Sequence, residues 1–165
     1  MMKLIRALAF SGVAVALAVT PVAARAQSSQ RGQPKTPFGT TDFAKLRWLE
    51  GSWSGTAAGE SPIYSRYHLV NDSTLEITYF RDSTFAQPSG TGRVYLTVGR
   101  IFHTFGPGRW GASNVDSVGV YFVPQLNAHS SLAWAYLSHD AWTLTQRTGI
   151  GGHERVTVYQ MRRVR

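Results

Sequence analysis

Residues able to do proton or metal chemistry are few and scattered in this chain of 165 residues. The five histidines, His68, His103, His129, His139 and His153, never fall at the short spacings that put two imidazoles on one metal. Cysteine is absent, which excludes thiolate metal sites, disulfides, a thiol nucleophile and a lipidated-cysteine anchor. His68 and His103 stand in aromatic stretches, beside Tyr64 and Tyr67 or Phe102 and Phe105, so any metal site assembled across strands would draw on them. A histidine hydrogen-bonded in a core or at a rim has the same surroundings. Most of the nine acids sit at turn positions such as Asp72, Asp82, Asp116 and Asp140. Glu76 is different, because it lies between Leu75 and Ile77 on the opposite face of the same strand, which predicts an outward carboxylate. A cyclase or isomerase would have to run on Glu76 and His103, with no carboxylate pair in view. The frame Gly51-Ser52-Trp53-Ser54-Gly55 holds Trp where a nucleophile elbow needs Ser, and no helix follows Gly106-Pro107-Gly108-Arg109-Trp110-Gly111 to make a phosphate site. No catalytic residue is assigned.

Aromatic side chains are the abundant resource: five Trp, seven Tyr and eight Phe. Tyr79, Tyr95, His103, Tyr121, Trp134 and Tyr136 each alternate with smaller residues, so a subset of them is expected to face inward and bind a small hydrophobic or aromatic molecule. Lys and Arg number 17 against nine Asp and Glu, a net charge of +8. Three of those positives, Lys3, Arg6 and Arg25, lie in the N-terminal segment, and without them the balance is +5. The remaining arginines are mostly single, with a cluster only at Arg162, Arg163 and Arg165, which is too dilute for a nucleic-acid reader.

The elements that must position these groups follow from patterning. Residues 1–26 open with two positive charges, continue as an uncharged Ala, Val and Leu stretch, and end in Ala24-Arg25-Ala26, the pattern of a cleaved signal peptide. Cleavage leaves no membrane segment and places the protein in the periplasm or outside the cell, as a monomer or homodimer. Residues 27–39 are polar with two Pro and two Gly, a flexible leader. Residues 40–165 form the domain. Phe43, Leu46 and Leu49 recur every three residues and predict one short helix ending near Gly51. From there apolar residues alternate and turn residues recur every 8 to 12 positions. The fold class is therefore all-β, an antiparallel up-and-down barrel of about 8–10 strands, because closure removes the aggregation-prone edges. Gly106 to Gly111 reads as a wide loop whose Trp110 covers the barrel mouth, and Val156 and Val158 read as an apolar row.

The run Leu46-Arg47-Trp48-Leu49-Glu50-Gly51-Ser52-Trp53-Ser54-Gly55, a short helix before a Gly-x-Trp strand, resembles the opening of the lipocalin-like (calycin) barrels. That resemblance implies that Trp53 packs at the closed end under a basic residue of the last strand, Arg162 or alternatively Arg163, with Gly51 allowing the tight helix-to-strand turn. A non-catalytic carrier of a small hydrophobic molecule, without cofactor, is the function it implies. The chain is also similar to the haem-binding nitrobindin branch, through Gly51-Ser52-Trp53-Ser54-Gly55, Gly59-Glu60-Ser61-Pro62 and His153 near the start of the last strand. This second resemblance implies haem with His153 as axial ligand, acting on nitric oxide or peroxynitrite. His153 shares a strand face with Arg155, Thr157 and Tyr159, so if the Val156 and Val158 face points inward, His153 points out. N-terminal sequencing of the exported protein should begin at Gln27, and a sequence beginning at Met1 would contradict the cleavage.

Overall fold

Period-two alternation from Gly51 onward, cut by short turns, gives ten strands in a closed up-and-down barrel. The computed structural model describes residues 37–149 and 154–165. A short helix α1 (Thr40–Ala44) and a 3-10 turn at Arg47–Leu49 precede β1 (Gly51–Thr56), β2 (Ile63–Asn71), β3 (Thr74–Phe80), β4 (Pro88–Thr97) and β5 (Arg100–Phe105). The second half is β6 (Gly108–Asp116), β7 (Gly119–Pro124), β8 (Ser130–Ser138), β9 (Ala141–Thr148) and β10 (Arg155–Val164). Each strand pairs antiparallel with its neighbour in sequence, and β1 closes the ring against β10 from Ser52↔Val164 to Thr56↔Gln160. Closure leaves no strand edge unpaired.

Two-residue turns set the register at one end, as between Thr97 and Arg100, Asp116 and Gly119, and Ser138 and Ala141. At the first of these, Val98 and Gly99 both take positive φ, 45° and 69°, the pair of conformations that a primed hairpin turn requires. That end is also where the N-terminal segment docks. Phe38 donates its backbone N–H to the Gly99 carbonyl and is buried with Phe43, Leu46 and Leu49, so the three-residue spacing found in the sequence does seal one end of the barrel. Phe38 belongs to the packed domain although it falls in the stretch read as leader.

Indoles fill the lower half of the lumen. Trp142 meets Trp48, Trp53, Tyr67 and Trp134 at centroid distances of 5.7, 6.0, 5.9 and 5.8 Å, mostly edge to face. Each such pair contributes about 1 kcal/mol beyond the area it buries. Below them the Trp53 indole N–H donates to the Leu49 carbonyl at 2.6 Å, tying the strand to the turn before it. Of the two candidates, Arg162 and Arg163, the guanidinium over Trp53 belongs to Arg163, 4.2 Å from the ring centroid. Register is the reason: Arg163 pairs with Trp53 and shares its inward face, whereas Arg162 pairs with Ser54 and is exposed. Arg163 also donates to the carbonyls of Glu50, Trp48 and His139. Gly51, at φ 121°, is required here, since a Cβ would run into that guanidinium.

The wide-loop expectation fails for Trp110. Gly106 and Pro107 alone make the turn between Phe105 and Gly108, Gly106 supplying a positive φ of 51°, and Trp110 sits in β6 opposite His103 with its indole N–H bonded to the Ser130 carbonyl. Val156 and Val158 are on the outside, 45% and 40% exposed, because the pairing of Gly55 with Met161 and Trp53 with Arg163 turns the other row of β10 inward. Arg163→Ala should therefore lower unfolding free energy by about 3 kcal/mol, combining a desolvated cation–π contact with lost hydrogen bonds. Arg162→Ala should stay within about 0.5 kcal/mol, and urea denaturation of both measures the contrast.

Candidate functional site

Above the indoles the barrel is hollow. A cavity of about 270 Å³ opens there, walled by inward side chains of seven strands. Ile63, Ser65 and Tyr67 come from β2, Tyr79 from β3, and His103 and Phe105 from β5. Trp110, Leu132, Trp134, Leu144, Gln146 and Tyr159 complete the wall from β6, β8, β9 and β10. All of these are alternating positions of their strands, so the pleat that defines the sheet also builds the site. Phe105 stacks edge-on against Tyr79 at 4.7 Å, and His103 lies 5.1 to 5.6 Å from Trp110, Phe122 and Trp134. At the rim, a depression of about 420 Å³ shares Gln146 and Tyr159 with the cavity and contains the Glu60–Arg155 ion pair, which ties the β1–β2 connection to the start of β10.

No side chain lining the cavity carries a formal charge. Burial pushes the His103 imidazole down to about 4, against a smaller opposing hydrogen bond to the Arg93 backbone, so the ring is neutral at physiological pH. Burial raises the Tyr79 phenol, and burial, then the nearby Tyr79, raise the Tyr67 phenol well above its ordinary value, with the Ser65 hydroxyl pulling the other way. Tyr159 is raised by burial and then by Glu60, with Arg155 opposing. His103 Nδ1 and the Trp134 indole nitrogen are buried in the wall without a hydrogen-bond partner. The result is a chamber of rings and neutral polar tips, suited to an apolar or planar molecule.

Of the six residues expected to bind, Tyr79, His103 and Trp134 reach the cavity. Tyr95 does not: Val94 and Leu96 hold the inward positions of β4, and Tyr95 packs outside against Phe102 under the Arg93 guanidinium. Tyr121 is on the outer face of β7, with Val120 and Phe122 inward. Tyr136 lies at the closed end, edge-on to Trp48, below the indole floor. Ser65, Tyr67, Leu144, Gln146 and Tyr159 were not singled out, although the alternation that gave Tyr79 also marks them. Glu76 is exposed on the outside of β3 and His103 is inside, so no single substrate can meet both. His68 is likewise outside, 4.0 Å from Glu50.

His153 lies outside the described residues, as do residues 1–26, expected to be a signal peptide, and residues 27–36 of the expected leader. The haem expectation rests on His153, so the described residues do not bear on it. No protein-family model matches the chain, and no curated protein matches its sequence. The ten-stranded antiparallel barrel with one short helix is consistent with a calycin-like fold.

The buried neutral imidazole makes stability pH-dependent. With a folded-state pKa near 4 and an unfolded one near 6.5, protonation favours the unfolded chain. The contribution is fully present above pH 6.5, is lost as pH falls toward 4, and amounts to about 3 kcal/mol. Denaturation profiles of the wild type and His103→Phe should diverge by that amount across this window, and parallel profiles would contradict the assignment.

Proposed function

We propose that this protein is an exported carrier, which takes a small hydrophobic or aromatic molecule into the barrel and releases it without covalent chemistry. The observation that supports this reading best is the uncharged, aromatic-walled cavity of about 270 Å³ above a solid indole floor. An apolar cavity of about 150 Å³ already suffices for benzene, so this one matches a molecule of one or two rings. Burying about 200 Å² of its apolar surface contributes about 5 kcal/mol before the costs of association. Catalysis is poorly served, because the one histidine in the wall is neutral and has no acid facing it. Export is supported by the residue pattern of 1–26.

Ligand release provides the test. Protein purified from its native compartment, unfolded gently and examined by mass spectrometry, should yield a reproducible small molecule. Leu144→Trp, which places an indole in the cavity, should abolish that yield while the melting temperature moves by only a few degrees. A filled variant that retains the molecule would refute the carrier reading.

A further inference from the structure

Three of the cavity's polar tips fall close together on adjacent strands. Ser65 pairs directly with Tyr79 across β2 and β3, and Tyr67 lies two residues further along β2 on the same inward face. Diagonal neighbours of this kind sit close enough for long aromatic side chains to meet over the sheet. Three hydroxyls are thereby gathered on one side of the chamber, while Leu132, Trp134 and Leu144 of β8 and β9 present mostly apolar surface, with Gln146 and the Trp134 indole nitrogen as its polar exceptions. Ser65 Oγ, in the same cluster, is buried without a partner in hydrogen-bonding geometry. A polar group left in this state inside a protein is a cost that a bound group can relieve.

Resting on the carrier reading, we propose that the chamber selects an uncharged ring compound bearing one carbonyl oxygen, seated between the Tyr67 and Tyr79 hydroxyls with its rings against the β8–β9 wall. A phenol that never ionises at physiological pH is always a donor, and a carbonyl oxygen has two lone pairs to accept from two donors. Charge is selected against by the surroundings. Neither Lys, Arg, Asp nor Glu lines the cavity, so a carboxylate would be stripped of water with no counterion to receive it. The nearest ion pair, Glu60 with Arg155, is at the rim and already satisfied.

Three probes of nearly equal shape separate these terms at pH 7 by titration calorimetry: 2-acetylnaphthalene, 2-ethylnaphthalene and 2-naphthoate. The ketone should bind roughly tenfold more tightly than the hydrocarbon, and the anion should bind more weakly than both. Tyr79→Phe and Tyr67→Phe should each weaken the ketone more than the hydrocarbon, so that the ratio of their affinities falls toward one. Equal affinity for ketone and hydrocarbon would overturn the hydroxyl seat while leaving the carrier reading intact. Naphthoate binding as tightly as the ketone would overturn the charge selection. If none of the three binds, the carrier reading falls together with this proposal. The probe comparison needs only the wild-type protein, so it decides the matter even if a variant fails to fold.

Discussion

Trp142 is the contact on which the rest of the barrel depends. Its indole meets Trp48 from the sealing turn, Trp53 from the first strand, Tyr67 from the second and Trp134 from the eighth, so it joins both halves of the ring to the N-terminal plug. Edge-to-face contacts are directional, and this cluster fixes where the packed floor stops. Arg163 holds the underside of that floor through Trp53 and three backbone carbonyls. The hollow above follows from what these rings leave unfilled.

The same layering separates two electrostatic regimes. The outer wall places arginines on aromatic faces: Arg66 over Phe80, Arg93 over Tyr95, and Arg100 and Arg109 over Phe102. Water screens those charges, and their long stems cover apolar surface. Inside, His103, Tyr67 and Tyr79 stay neutral because burial penalises their charged forms. A chamber that excludes charge from its own wall also excludes charged guests.

Much of the fold was legible from alternation and turns. Leu75, Ile77 and Tyr79, or Leu132 and Trp134, mark their inward faces because one row is clearly larger and more apolar than the other. Alternation fails where both rows look alike. In β10, Val156 and Val158 form the more apolar row, yet Tyr159, Met161 and Arg163 face inward, since the partner strand needs Arg163 over Trp53. Tyr95 and Tyr121 mislead for a related reason, being aromatic residues whose neighbours on both sides are apolar and claim the interior. The three glycines and a proline around Trp110 predict a lid, although the turn of two residues uses only Gly106 and Pro107. The candidate site was legible only as a set of aromatic alternations. Which end of the barrel each ring occupies depends on strand stagger, which puts Tyr136 below the floor and Tyr79 in the wall.

The carrier reading requires the upper lumen to be a hollow, uncharged cavity. Xenon is a direct probe, because it enters apolar cavities of this size without needing a polar partner and scatters strongly enough to locate. Crystals pressurised with xenon should show an anomalous peak among Phe105, Leu132 and Leu144. Density in which those side chains close on one another, with no xenon between them, would contradict the account.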